Sequence, residues 1–361
     1  SNSYKSKMIK PLTSLRFFFA FMVFLSHIGF VNVDSPLYNW LHRNVFREGL
    51  LGVSFFFILS GFILSYTYEQ KVPLKRNKLY NFYLSRFARI YPLHLITIFF
   101  ALPILISQNL LNLKALFFNL FLIQSFVPIP KIYYSINPPS WSISNEMFFY
   151  LLFPIYIYLF NRYKNLHVYF FFFFYILIII LHQIIPVQYK EFFLYVNPLI
   201  RTLDFILGIS LLKFYTQNKN MFLNKKNSFI IYTFLEFAVC FMFLLFFILH
   251  NIADYTYRFS IYYWIPMSAI IYIFAFQGGA ISKFLSHKWL IFLGEISFGF
   301  YMIHFVVLYY ALWLKPIFFS GLNDIIYAFF IFTFTLIFSF ISYKWYELPV
   351  NRYFKAKFLK K

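Results

Sequence analysis

The chain has 361 residues, of which 61% are hydrophobic, 26% aromatic and only 12% charged. Soluble domains are about 25% charged, so this composition belongs to a polytopic membrane protein and excludes an ordinary soluble enzyme. A net charge of +21 would suggest nucleic acid in a soluble chain, but here the basic residues collect in short loops and near the ends, as membrane orientation requires.

In chain order, the first apolar run, "LRFFFAFMVFLSHIGF" from Leu15 to Phe30, carries Arg16 near its start and His27 near its end. Arg16 interrupts the run, so it is not a cleavable signal peptide. The opening "SNSYKSKM" lacks an initiator Met and reads as a tag remnant or a trimmed start. A bilayer-spanning helix needs about 20 mostly apolar residues. Eleven stretches qualify, at roughly 11–30, 49–68, 82–106, 109–127, 141–160, 168–185, 198–215, 229–250, 259–276, 289–314 and 323–343. The lone cysteine, Cys240, lies in one of these and leaves no intramolecular disulfide.

Lys5, Lys7 and Lys10 at the start, and Arg352, Lys355, Lys357, Lys360 and Lys361 at the end, place both termini in the cytoplasm. That demands an even number of crossings. Segment 109–127 is expected not to cross: it is short, holds Asn119 and Gln124, and leads into the Pro-rich "PIPKIYYSINPPS". With it re-entrant or irregular, the cytoplasmic loops gather Lys71, Lys75, Arg76, Lys78, Arg162, Lys164, Lys219, Lys225, Lys226, Lys283 and Lys288. Together with the termini they hold more than twice the basic residues of the outer connections (Arg43, Arg47, Lys114, Lys131, Lys190, Arg258, Lys315). The expected fold is therefore all-α and polytopic, with about ten transmembrane helices and one irregular or re-entrant segment. Residues 1–10 form a cytoplasmic tail, 11–345 one transmembrane domain, and 346–361 a basic cytoplasmic tail. No 20–50-residue repeat and no inverted pair of halves is evident.

Ionisable groups in hydrocarbon are expensive, by about 2.5–3.5 kcal/mol at mid-helix, so each one asks for a reason. Arg16 and His27 are eleven residues apart, close to three turns, and project from one face about 16 Å apart along an ideal axis. They line one face of a passage, with His27 as a general base, or Arg16 snorkels to headgroups and His27 bonds a neighbouring helix. In "YLSRFARIYPLH", Arg86 and Arg89 share a helix face at the cytoplasmic mouth. Two guanidiniums there suit bidentate phosphate binding, or they are a positive-inside anchor; His94, two turns deeper, reads equally well as packing.

Glu146, in "NPPSWSISNEMFFYLLFP", has no basic residue within four positions. It either orients an imidazole or is protonated and hydrogen-bonded within the bundle. Trp141 in the same segment reads as an interface anchor. In "FLGEISFGFYMIH", Ser297, Tyr301 and His304 fall in one helical sector. Arg201 and Asp204, at i, i+3, neutralise each other; Glu236 pairs with another helix; His182 and His250 are interfacial. No His/Cys/Asp cluster has metal-ligand spacing, and there is no Gly-rich phosphate loop or G-x-S-x-G elbow.

Arg16-x10-His27, "GVSFFFILSGFIL" from Gly52, "SRFARIYP" from Ser85, "PSWSISNEMFFYLLFP" from Pro139 and "LGEISFGFYMIH" from Leu293 occur in that order. In this the chain resembles acyltransferase family 3, integral membrane O-acyltransferases of bacterial surface glycans, over roughly residues 10–350. The resemblance implies a stand-alone form, since many relatives add a C-terminal SGNH domain, and so a possible separate extracytoplasmic transferase partner. It also implies a bacterial inner-membrane location and acyl-CoA, most simply acetyl-CoA, as the cytoplasmic donor, with a glycan or lipid-linked sugar outside as acceptor and no metal. The residues it carries over are His27 and Glu146 as catalytic and Arg16, Arg86 and Arg89 as donor-binding. Trp141, Ser142, Tyr150, Ser297, Tyr301 and His304 are further candidates for the pocket. Some relatives have an aspartate soon after the histidine; here Asn32 and Asp34 follow, and no such role is assigned. The rival reading is a transporter or flippase of a glycolipid or acylated small molecule, which predicts no CoA dependence and tolerance of His27→Gln. A glycan polymerase would show large outer loops, which are absent.

Overall fold

The computed structural model describes residues 8–68, 76–220 and 227–359. The expectations resting on Lys5, Lys7, Lys71, Lys75, Lys225, Lys226, Lys360 and Lys361 lie outside the described residues. Those described form helices and connecting turns, with no strand among them.

Helix α1 (Lys10–Ser26) has Pro11 in its first turn, where a missing N–H costs no hydrogen bond. The short α2 (Pro36–Leu41) is capped by Ser35, which accepts from Tyr38 N. It leads through a π turn and a 3-10 turn into α3 (Leu51–Tyr68). Then come α4 (Arg76–Ser107), α5 (Leu113–Leu120), α6 (Pro130–Tyr133), α7 (Trp141–Arg162) and α8 (Leu166–Ile184). The second half comprises α9 (Val187–Lys190), α10 (Pro198–Asn218), α11 (Ser228–Ile248), α12 (Ile261–Ala275) and α13 (Ala280–Leu285). The last helices are α14 (Lys288–Phe318), α15 (Asp324–Ser342) and α16 (Leu348–Phe358).

Among the described residues, seven helical stretches are long and apolar enough to cross a membrane. They are Pro36–Tyr68, Arg76–Ser107, Pro138–Arg162, Leu166–Ile184, Ser228–Ile248, Lys288–Phe318 and Asp324–Phe358. The pair Val187–Val196 and Pro198–Asn218, bent by 41°, makes an eighth when taken as one span. α1 and α12, of 17 and 15 residues, fall short of that length. Segment 109–127 folds as the eight-residue α5 and tight turns; eight residues rise about 12 Å, far less than a bilayer core. Its polar side chains stitch it to the bundle: Asn119 Nδ2 donates to Ser135 Oγ (2.8 Å), and Gln124 Nε2 donates to the Ser140 carbonyl (3.2 Å). His94 Nε2 bonds Asn119 O at 2.8 Å, a packing role.

The expected tail after residue 345 is largely a helix. A π turn over Tyr343–Glu347 joins α15 to α16, and Tyr346 Oη donates to Pro92 O (2.9 Å), pinning that joint to α4. In the core α1 packs on α3 and α14, and α3 packs on α10. At several of these contacts helix backbones come so close that only glycine fits, two of them at Gly61 and Gly294. A Cβ on Gly61 would lie 2.0 Å from Phe205 O, and one on Gly294 1.9 Å from Thr13 O. The second holds α1 against α14 and so sets the distance between the side chains that matter below.

Candidate functional site

One cavity of about 440 Å³ opens inside the bundle. α1 contributes Arg16; α3 contributes Phe56, Phe57 and Ser60; α4 contributes Arg86 and Arg89. α7 adds Ser142, Glu146 and Tyr150, each one turn from the next, which is why they share a face. α14 adds Glu295, Ser297 and Tyr301, and the π turn adds Tyr343.

At one end the cavity is cationic. Among the described residues, none of Arg16, Arg86 and Arg89 donates a hydrogen bond or makes a close ion pair, while Arg86 rests 5.8 Å from the Tyr150 ring centroid. Carboxylates stand near rather than on them: Glu146 and Glu347 are in electrostatic range of Arg16, and Glu347 of Arg89 as well. Glu146 is held by its own hydroxyl partners, accepting from Tyr150 Oη (2.6 Å) and Ser60 Oγ (3.1 Å). Lys355 on α16 faces Arg86 and Arg89 from outside.

At the other end the cavity closes on hydroxyls. Tyr301 Oη lies 2.8 Å from Ser142 Oγ and donates to Pro139 O (3.1 Å). The loop carrying Pro139 is shaped by Ile136, buried at φ +62°, a conformation costly for a β-branched residue. Asn137 Nδ2 fastens that loop to Met302 O (2.9 Å), beside Tyr301.

His27 and His304 are not on the cavity lining. They form a pair just past its closed end: His304 follows Tyr301 by three residues, less than one turn along α14. The rings stack with centroids 5.1 Å apart and planes at 15°, with His27 Nδ1 2.9 Å from His304 Nε2. His304 Nδ1 lies 2.6 Å from Tyr301 O.

Three expectations are corrected here. Arg16 and His27 do not line one wall, because α1 ends at Ser26 and His27 is its cap (φ −103°, ψ 2°), outside the helical periodicity. Glu146 does not orient His27; its carboxylate is taken by Tyr150 and Ser60, and the bonded partner of His27 is His304. Trp141 is not an interface anchor or a cavity residue but core, 3% exposed and packed on Phe57 and Tyr195. Ser142, Tyr150, Ser297 and Tyr301 do line the cavity.

The sequence reading missed Ser60, Glu295, Tyr343 and Glu347. Ser60 sits beside Gly61 in a noted motif, a small-residue pair that marks close helix contact. Glu347 ends a π turn, for which no periodic signal exists.

The other buried ions are structural. Arg201 pairs with Asp204 (3.0 Å) and donates to Ser54 Oγ and Phe259 O (2.8 Å each); Trp264 Nε1 donates to Asp204. Glu236 accepts from Gly279 N, Ile281 N and Ser282 N and so caps α13. Glu48 holds Arg258 (2.8 Å) and Tyr263 Oη (2.7 Å), with His250 beside it. Among the described residues, no three His, Cys, Asp or Glu side chains could hold a metal ion.

Comparison with known proteins bears on the same residues. Residues 10–344 match the acyltransferase domain of acyltransferase family 3, which takes in the whole cavity lining except Met8 and Ile9. A protein named acyltransferase MdmB from Streptomyces mycarofaciens is 36% identical over 162 residues, covering 43% of this chain and 40% of that protein. Nodulation protein 10 of Rhizobium leguminosarum bv. viciae is 26% identical over 185 residues, 46% of this chain and 48% of its own length. The match thus spans less than half the length of either relative. No solved structure matches the chain significantly. With the family domain spanning nearly all of the helix bundle, the chain belongs to acyltransferase family 3.

Proposed function

We propose that the protein is a membrane-bound O-acyltransferase moving an acyl group, acetyl in the simplest case, from cytoplasmic acyl-CoA to a hydroxyl of an extracytoplasmic or lipid-linked glycan. The observation that carries this reading is the cavity: three arginines with no bonded partner at one end, and a histidine pair just beyond the other. Unpaired guanidiniums in a half-buried site suit a polyanion, and phosphates are the anions they bind bidentately. The cavity volume lies within the usual range for small-molecule sites, and its apolar middle, with Phe56, Phe57, Leu59 and Ile63, suits a neutral pantetheine arm.

In this reading the donor phosphates bind Arg86 and Arg89, with Arg16 deeper, and the thioester reaches Tyr301 and Ser142. His27 takes the proton of the acceptor hydroxyl as its oxygen attacks the thioester carbonyl. The C–S bond then breaks, and the CoA thiolate leaves with a proton returned from His27. The Tyr301 and Ser142 hydroxyls bond each other and Pro139 O, and in this reading one of them turns its hydrogen from Pro139 O to the thioester carbonyl oxygen. Glu146 sets the charge around Arg16 rather than the orientation of His27. The arginine end shares its end of the bundle with Lys10, Lys288 and Lys355 and takes the cytoplasmic side by the positive-inside rule. We take both termini as cytoplasmic, the membrane as the bacterial inner one, and the crossings as ten, with α1 and α12 joining the eight spans above.

The test is transfer of radiolabelled acetyl from acetyl-CoA by the purified protein in liposomes containing an extract of bacterial lipid-linked sugars. The expected result is labelled acceptor from wild type and none from His27→Ala. Movement of unlabelled glycolipid without any CoA dependence would replace this reading with transport.

A further inference from the structure

We infer that His304 is a positioning residue that fixes the proton on Nδ1 of His27 and so leaves Nε2 of His27 as the lone-pair nitrogen of the pair. The inference rests on the proposed role of His27 and names what sets it. It follows from the order of the contacts. Tyr301 O is a backbone carbonyl and only accepts, so His304 Nδ1, 2.6 Å away, carries a hydrogen. In a neutral imidazole the other nitrogen is then an acceptor. His304 Nε2 therefore accepts, and the hydrogen in the 2.9 Å contact belongs to His27 Nδ1. What remains on His27 is an unprotonated Nε2, and no described residue is bonded to it.

The surroundings hold this arrangement. His304 is 1% exposed and sits among Phe24, Phe300 and Phe305, whose rings carry no hydrogen-bonding group, and besides His27 and Tyr301 O the backbone of Phe300 is its other hydrogen-bond partner. Phe305 also meets the His27 ring edge-on at 5.2 Å, limiting rotation. Among the described residues no carboxylate is paired with either ring, so the orienting group is a second imidazole in turn fixed by a backbone carbonyl. The carboxylate that more often fills this role in a catalytic histidine pair is engaged elsewhere, on Tyr150 and Ser60. Since Tyr301 supplies both this carbonyl and the hydroxyl at the cavity's closed end, one residue registers the base against the donor channel.

Two measurements test this. The first is the nitrogen-15 spectrum of histidine-labelled wild-type protein in lipid, with His27→Gln identifying the His27 signals. A protonated Nδ1 and a bare Nε2 on His27 are expected; a proton on His27 Nε2 overturns the proposal. The spectrum requires no substrate, so its failure is distinct from failure of the functional reading, which the acetyl-transfer assay tests. The second compares His304→Phe, which offers no acceptor, with His304→Gln, whose Oε1 replaces Nε2. His304→Phe is expected to lower kcat about 100-fold with the donor KM within about twofold of wild type, and His304→Gln to recover to within about tenfold. Wild-type kcat in His304→Phe, or a Gln variant no better than Phe, contradicts the positioning role.

Discussion

Arg201 and Arg16 are both arginines inside the helix bundle, and the fold treats them in opposite ways. Arg201, 1% exposed, pairs with Asp204, donates to Ser54 and Phe259, and lies over the rings of Phe57 and Tyr195. Arg16, with Arg86 and Arg89, faces a cavity and is bonded to nothing among the described residues. A buried cation held by an ion pair and hydrogen bonds, as Arg201 is through both terminal nitrogens, contributes to the structure, and removing one partner strands the other. A cation left open contributes little to folding and waits for an anion from elsewhere. Both acids are hydrogen-bonded, but Glu236 spends its carboxylate on the backbone N–H groups that open α13, whereas Glu146 takes two hydroxyls on a cavity wall. For the arginines, an ion pair or hydrogen bond from the protein itself sorts the structural cations from those of the candidate site.

The contrast can be broken by substitution, with thermal unfolding in detergent as the readout. Arg201→Ala leaves Asp204 buried without its ion partner and is expected to destabilise by about 3–5 kcal/mol. Gly294→Val forces a side chain into the Thr13 carbonyl and moves α1 off α14; about 1–3 kcal/mol is expected, together with loss of transfer as Arg16 and His27 shift against Tyr301 and His304. Tyr150→Phe removes one hydrogen bond to Glu146 and should cost about 1 kcal/mol. Arg86→Ala combined with Arg89→Ala should change stability by less than about 0.5 kcal/mol in either direction. Destabilisation by that pair as large as that of Arg201→Ala would erase the distinction.

Much of the frame was legible because it depends on local sequence. Apolar runs of about 20 residues locate helices such as α3 and α14 within a few residues and the end of α4, though not its polar start at Arg76, and Asn119, Gln124 and the Pro-rich stretch mark 109–127 as unlike the rest. Arg201 and Asp204, at i, i+3, could be paired by spacing alone. The site was legible as a roster more than as an arrangement. Helical periodicity put Arg16 and His27 on one face, but the helix stops at Ser26 and the projection stops with it. The partner of His27 is 277 positions away, and the partners of Glu146 include Ser60 on another helix; such pairings are set by helix packing, which spacing cannot report. Glu347 reaches the arginines through a π turn inside a stretch that composition reads as a tail.

The central claim is that the open arginines await the phosphates of an acyl donor. The most direct test is titration of acetyl-CoA into the purified protein, wild type against Arg86→Ala/Arg89→Ala, with both shown to be folded by their unfolding temperatures. Loss of two charge-assisted contacts predicts an affinity lower by about 100-fold or more. Equal affinity in the two proteins, or no binding to a folded wild type, would contradict it.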